Sequence, residues 1–227
     1  MAVGPHRAEF KTGTVREFRH ATIIAREVEV LSRVVQEIRN GDVVYDIGAF
    51  IGTHAVIFAL ATGPRGRVVA FEPEWRAARN LHANVLLNGL HNVTVIEQAV
   101  TDATGEAELH MDDSRVLSGF HSLMVSRGGH GEMVPTVAGD ELVAKGDLPA
   151  PNVIKIDVEG AELKVIAGLS MALSRPECRL VLCEVHPDLL AASGDAPSDV
   201  QDALAAAGFS TFERFGRGSE YHLLARK

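Results

Sequence analysis

A short apolar run, Val43-Val44-Tyr45-Asp46-Ile47, stops at Gly48, and within five residues a helix-length apolar stretch begins that runs from Gly52 to Thr62. An extended segment apolar on both faces that turns this sharply into a helix predicts a buried strand of a parallel sheet followed by its crossover. The unit repeats. Arg67 to Phe71 reads as a strand halted at Glu72-Pro73, Trp75 to Leu87 as a helix ended by Asn88-Gly89, and Val93 to Glu97 as a third strand. Strands alternating with helices of this length pair in parallel through right-handed crossovers. The pattern resumes with a strand from Val153 to Asp157, a helix from Ala161 to Leu173, a strand from Arg179 to Glu184 and a helix from Pro197 to Ala207. Two last strands, Phe209 to Arg214 and Tyr221 to Ala225, are close enough for an antiparallel hairpin across Gly216-Arg217-Gly218. The expectation is an α/β fold with a seven-stranded, mostly parallel sheet and an antiparallel C-terminal strand.

Two segments fall outside this alternation. Residues 1–40 are polar up to His20 and then carry Ile23, Ile24, Val28, Leu31, Val34, Val35 and Ile38 at helical spacing, which predicts a covering helix stopped by Asn40-Gly41. Residues 101–145 break into strand-length pieces, Ala107 to Met111, Phe120 to Val125 and Met133 to Val137, between Gly, Ser and Asp clusters. About forty-five residues are too few for a core of their own, so they predict a β-hairpin insertion flanking the site, within one domain spanning 41–227. With 46% apolar and 23% charged residues over 227, the chain has enough material for one ordinary core without staples.

Composition also excludes functions. Twenty-two Lys and Arg against thirty Asp and Glu give a net charge of -8, with no basic run, which argues against nucleic acid as a partner. One Trp, two Tyr and nine Phe supply little for stacking on bases. Cys178 and Cys183 stand an odd number of positions apart in one apolar run, so on a strand they face opposite sides and cannot bridge, as a reducing cytoplasm would require. Met1 to Phe10 has no apolar core for a signal peptide, and the longest apolar run, Ala55 to Ala61, is far below the roughly 20 residues of a bilayer span. A cytoplasmic location with no membrane partner is expected, and a homodimer is compatible with everything in the sequence.

Ligands of open α/β sheets bind beyond the carboxyl ends of the strands. Four such ends are polar: Asp46 to Gly52, Glu72-Pro73, Asp157-Val158-Glu159-Gly160 and Glu184-Val185-His186-Pro187. The first turn selects the cofactor. A dinucleotide fingerprint needs a bare second glycine where the pyrophosphate approaches, and a third glycine for helix packing. Phe50 and Thr53 stand there instead, so NAD is poorly served. Glu72, twenty residues past Gly52 at the end of the second strand, can accept hydrogen bonds from both hydroxyls of a ribose. Gln98, after the third strand, can offer an amide to an adenine edge, with Ala99 beside it.

The pattern Asp46-Ile47-Gly48-Ala49-Phe50-Ile51-Gly52 resembles the first motif of class I S-adenosylmethionine-dependent methyltransferases. With Thr53-His54, Phe71-Glu72-Pro73, the series Asn80, Asn84 and Asn88, Ala99-Val100-Thr101-Asp102 with Gly105, and above all Ile154-Lys155-Ile156-Asp157-Val158-Glu159-Gly160-Ala161-Glu162, the chain resembles the FkbM-type methyltransferases over residues 41–187. The resemblance implies a Rossmann-like class I methyltransferase fold, S-adenosyl-L-methionine as cofactor, and O-methylation of a hydroxyl on a small molecule, sugar or natural-product intermediate. It implies cofactor contacts from Asp46, Gly48, Ala49, Phe50, Gly52, Thr53, His54, Glu72, Pro73, Gln98 and Ala99. Two departures stand out: Phe50 replaces the family's usual Asn, and His121-Ser122-Leu123 replaces Ser-Ser-Leu.

Methyl transfer to an alcohol needs an in-line nucleophile and a destination for its proton. Asp157, Glu159 and His186 are the candidate catalytic residues. Asp157 closes the fourth strand beside the first, and His186 is the better-matched base by its reference pKa of about 6.5. Asp157, Glu159, Glu184 and His186 are also metal-ligand types, but no tight ligand spacing is present and no metal is assigned. Lys155 reads as a strand-edge or site residue and Lys164 as a solvated helix charge. The rival readings are an NAD-dependent oxidoreductase and a non-catalytic S-adenosylmethionine-binding protein.

Overall fold

The computed structural model describes residues 1–13, 17–18, 27–111, 121–124, 130–216 and 219–227. After a two-stranded hairpin, β1 (Ala2–Val3) and β2 (His6–Arg7), come α1 (Val28–Glu37), β3 (Val43–Ile47), α2 (Thr53–Thr62), β4 (Arg67–Phe71), α3 (Trp75–Leu87) and β5 (Val93–Ile96). There follow β6 (Ala99–Thr101), β7 (Gly105–Met111), β8 (His121–Ser122), β9 (His130–Ala138) and α4 (Gly139–Lys145). The chain closes with β10 (Val153–Ile156), α5 (Glu162–Gly168), α6 (Ser170–Ser174), β11 (Leu180–Val185), α7 (Pro187–Ala192), α8 (Pro197–Ala206), β12 (Thr211–Phe215) and β13 (Tyr221–Arg226).

The seven-stranded sheet has the order β12-β13-β11-β10-β3-β4-β5. Every neighbouring pair from β11 to β5 is parallel, while β13 runs antiparallel to both β11 and β12. Register brings Asp46 opposite both Lys155 and Ala70, and Ile47 opposite both Ile156 and Phe71, so the strand ends expected to carry chemistry share one edge. Strand period then sorts the side chains. Tyr45, Ile47, Ile154, Ile156, Val181, Cys183 and Leu223 enter the core shared with α5, α6 and α8. Val44, Val153, Leu180, Leu182 and Leu224 enter the opposite core, shared with α1, α2 and α3. The apolar run from Ala55 to Ala59 is buried as α2 in that second core. Among the described residues no helix is long and apolar enough to cross a membrane. Cys178 and Cys183 are both buried free thiols.

The hairpin insertion is larger than its sequence suggests. β6-β9-β7-β8 form a separate four-stranded sheet in which β6 runs parallel to β9, so Ala99–Thr101 leaves the main sheet instead of extending its third strand. Only His121–Ser122 of the expected Phe120 to Val125 strand is extended and paired, with β7; residues 120 and 125 lie outside the described residues. Two short helices were not legible: α4 opens with Asp140 and Glu141 in its first turn, and α7 starts at Pro187, whose fixed φ suits a first helical position. The expected helix from Ala161 to Leu173 divides at Leu169, whose φ of -120° leaves helical backbone.

The N-terminal part is tied down by a ladder on α3. Asn80, Asn84 and Asn88 recur every fourth residue, so their amides line one helix face. Asn88 Oδ1 accepts from Glu9 N at 3.0 Å, Asn84 Oδ1 from Lys11 N at 2.7 Å, and Asn80 Nδ2 donates to Glu17 Oε1 at 2.6 Å. Asn84 Nδ2 also donates to Ile51 O at 2.9 Å, which fixes the turn after β3. Residues 23 and 24 of the expected covering helix lie outside the described residues, and its described part is α1.

Candidate active site

The turn after β3 is shaped by close approach. At Gly48 (φ 76°) an added Cβ would lie 1.8 Å from Asp157 O, and at Gly52 (φ 83°) it would lie 2.9 Å from Leu81 Cγ. Left-handed backbone with no room for Cβ leaves glycine as the residue that fits. Phe50 sits between them at φ 49°, a conformation that costs a bulky residue about 1–2 kcal/mol. Its backbone N–H donates to Glu72 Oε2 at 2.8 Å, while Glu74 N donates to Glu72 Oε1 at 2.9 Å. Burial pushes the Glu72 carboxyl up to about 7, against the lowering effect of those two N–H donors. Ala49, Thr53 and His54 are buried behind the turn, and Pro73 and Gln98 are half-buried beside it. Ala99 is buried as the first residue of β6 and pairs with Thr136.

A second group lies across β3. Asp46 has the strand parity of Val44, Lys155 and Asp157 that of Val153, Glu184 that of Leu182, and His222 that of Leu224, so all five point to the α1–α2 side. Lys155 is 3% exposed in a central strand, which excludes the strand-edge place. Its ammonium donates to Gly48 O at 3.1 Å and pairs with Asp157 Oδ2 at 3.1 Å and Asp46 Oδ1 at 3.4 Å. Burial acts to lower its pKa, but the Asp157 and Asp46 carboxylates outweigh it and hold the amine charged. Asp46 is fully buried and neither of its oxygens has a well-formed hydrogen bond among the described residues; burial raises its pKa although Lys155 opposes this.

His186 and Glu162 form a buried pair, with Nδ1 2.6 Å from Oε1. Gly160 N also donates to Glu162 Oε1, at 3.2 Å. Burial lowers the imidazole pKa, yet the Glu162 hydrogen bond and the nearby Asp157 charge raise it on balance to about 10. The ring therefore keeps its proton at neutral pH. A base of ordinary imidazole pKa, the reason for singling out His186 in the sequence, is not what this pocket makes. Glu159 turns the chain at φ 51°, and its carbonyl accepts from Ser122 Oγ at 2.7 Å, which joins the insertion to the loop after β10. The side chain of His121 lies outside the described residues. Lys164 is exposed.

Sequence reasoning missed Glu27 and His222. Glu27, at the start of α1, places Oε2 3.7 Å from His54 Nε2 and 3.8 Å from His222 Nε2; His222 Nε2 lies 3.5 Å from Glu184 Oε2. Burial, with Asp157 adding like charge, pushes Glu27 up to about 7 and Glu184 well above the usual carboxylate range, while burial lowers His222. His222 was hidden because β13 is antiparallel: the start of that strand, not its end, meets the ligand edge, opposite Glu184. A polar residue sharing strand parity with the apolar Leu224 was its one signal.

Residues 46–211 match the model of the methyltransferase FkbM domain. The chain is 31% identical to the hexuronic acid methyltransferase AglP of Haloferax volcanii, over 92% of this chain and 80% of that protein. It belongs to the FkbM methyltransferase family. The 31-O-demethyl-FK506 methyltransferase FkbM of Streptomyces tacrolimicus is 33% identical, over 66% of this chain and 67% of its own length. Among solved structures, precorrin-6y C5,15-methyltransferase from Geobacter metallireducens superposes with a TM-score of 0.59 at 15% identity, covering 96% of this chain and 94% of its own. That likeness shows the class I methyltransferase fold, the fold that the resemblance of the sequence implied.

Proposed function

We propose that this methyltransferase transfers the methyl group of S-adenosyl-L-methionine to a hydroxyl oxygen of a sugar or natural-product acceptor. The observation that carries the cofactor reading is the charge of the site. Asp46, Asp157, Glu184 and Glu27 face the α1–α2 side of the ligand edge with Lys155 as the cation among them. Such a wall favours a sulfonium and repels a pyrophosphate. The buried oxygens of Asp46, paired with Lys155 at 3.4 Å but without a well-formed hydrogen bond among the described residues, suit a cationic ligand, and Glu72 keeps lone pairs for two ribose hydroxyls beyond those its N–H donors use. Gln98, half-buried after β5, is the residue proposed to offer its amide to the adenine edge. The cofactor supplies the electrophilic methyl group; the chain supplies orientation and a place for the acceptor proton.

Asp157, held by Lys155 and partly exposed, is the residue that orients and deprotonates the acceptor hydroxyl. His186, kept protonated by Glu162, fixes the adjoining wall, and Glu159 links the loop to the insertion through Ser122. The names of the two relatives support a sugar or natural-product acceptor. Titration with S-adenosylmethionine and with NAD, read as a shift in melting temperature, tests the reading. A rise with the first and none with the second is expected, with the rise reduced in Glu72→Ala; no response of the wild type to S-adenosylmethionine would overturn it. Release of S-adenosylhomocysteine over a panel of hydroxylated acceptors separates catalysis from mere binding.

A further inference from the structure

We propose that Glu27, Glu184 and His222 form a binding site for one divalent first-row transition cation beside the acceptor pocket. The three residues come from the start of α1, the end of β11 and the start of β13, and one donor atom of each lies within 4.8 Å of the other two. The measured separations are informative. His222 Nε2 to Glu184 Oε2 is 3.5 Å and to Glu27 Oε2 is 3.8 Å, too long for good hydrogen bonds. Ligands bound at about 2.0–2.2 Å in tetrahedral geometry stand roughly 3.3–3.6 Å apart; the His222–Glu184 separation falls in that range, the His222–Glu27 one slightly above it, and all three atoms lie within 4.8 Å of one another. Two carboxylates and one imidazole suit Mn²⁺, Fe²⁺ or Zn²⁺ better than Mg²⁺, which prefers an all-oxygen shell.

Charge gives an independent reason. On the α1–α2 side, Glu27, Asp46, Asp157 and Glu184 face Lys155, while His186 and Glu162 pair with each other. Lys155 is thus taken up by Asp46 and Asp157, and no lysine or arginine pairs with Glu27 or Glu184 among the described residues, which leaves these two acids without a fixed cation; the proposal rests on the cofactor reading only in placing the ion beside that pocket. The alternative trio of Asp157, Glu184 and His186 is also compact, but Lys155 already pairs with Asp157 and Glu162 already takes His186 Nδ1. An ion there would have to compete with two cations. At Glu27, Glu184 and His222 the other described partner is His54, 3.7 Å from Glu27 Oε2, and no lysine or arginine pairs with either acid among the described residues.

Binding of metal alone tests the site without any turnover. The full chain, stripped with chelator, is titrated with Mn²⁺, Zn²⁺ and Co²⁺ by calorimetry and by thermal shift, and the Co²⁺ form is read by its visible absorption. One equivalent per chain is expected, with Co²⁺ bands of a low-coordinate N/O site. Glu184→Gln and His222→Gln should each weaken binding at least tenfold, and Glu27→Gln should do the same. The Gln variants of the two acids remove like charge from a crowded site and so should fold; they keep the test decisive if His222→Gln does not. S-adenosylmethionine binding is measured separately on the metal-free wild type, and Glu72→Ala should lower it while leaving Co²⁺ binding in place, so loss of the ion site and loss of the cofactor site are distinguishable. No saturable binding of any of the three ions, or binding indifferent to both acid substitutions, would overturn the proposal.

Discussion

Glu72 at the end of β4 is one buried carboxylate whose two oxygens are met by two backbone N–H groups, whereas across β3 the carboxylates of Asp46, Asp157, Glu184 and Glu27 are gathered around a single lysine. The first region is nearly complete in itself and can add neutral hydroxyl donors to a carboxylate already fixed in place. The second crowds buried carboxylates whose pKa values are raised, and a cationic ligand would favour their ionised form. Gly48 is the joint between them, with its carbonyl on Lys155 and its Cα against Asp157 O. Gly48→Ala should therefore have the largest effect of any single substitution here. A Cβ 1.8 Å from a backbone oxygen, on left-handed backbone, forces the two regions apart, and a loss of more than about 4 kcal/mol in urea unfolding is expected, with cofactor binding abolished.

The two regions differ in what a protonation change does, and Glu162→Gln is the next largest way to expose that. Removing the partner of a buried imidazolium costs about 3 kcal/mol at neutral pH. His186 has its pKa at about 10 in the fold against 6.5 when unfolded, so the folded chain binds more protons between those values. The pair's contribution is complete below pH 6.5 and is lost as pH rises through 10. Wild type and Glu162→Gln should consequently differ most in melting temperature just below pH 6.5 and converge above pH 10. A gap that does not change with pH would mean that Glu162 serves packing and not charge.

The contrast also explains what was legible in the sequence. The β4 region could be read because its chemistry is local: a strand end, an acid and a proline within three residues, at a fixed distance from the glycine turn. The crowded region depends on register. Lys155 read as either a strand-edge or a site residue until β10 was placed between β3 and β11, and Glu27 and His222 enter from opposite ends of the chain. His186 was chosen for its type, but its pKa is set by Glu162, which carried no assigned role in the motif that contains it. The four-stranded insertion sheet escaped because the pairing of β6 with β9 spans a long loop, and no local pattern encodes it.

At the complete region the expected effects are smaller and confined to the cofactor. Glu72→Gln keeps shape and loses charge, and should weaken S-adenosylmethionine by about 10- to 100-fold, the range for a hydrogen bond to a charged group. Because burial sets the Glu72 carboxyl at about 7, the charged acceptor forms as pH rises through that value. Wild-type affinity should tighten across pH 6 to 8, and the Gln variant should be flat over the same range. Calorimetry in buffers spanning that window checks both.

Phe50 gives the finest test, since it lies in the turn that both regions share. Its φ of 49° suits Asn or Gly far better than an aromatic, so Phe50→Asn should stabilise the fold by about 1 kcal/mol, a rise of about 2–4 °C at this length. The same position bears on cofactor choice. If the bulk of Phe50 were what excludes a pyrophosphate, Phe50→Gly would admit NAD. The acidic wall predicts otherwise: Asp46, Asp157 and Glu184 remain, and their repulsion of a dianionic pyrophosphate does not depend on the size of residue 50. Phe50→Gly should still show no melting-temperature response to NAD while keeping its response to S-adenosylmethionine. Acquired NAD binding would locate the selectivity in the shape of the turn and not in the charge across β3.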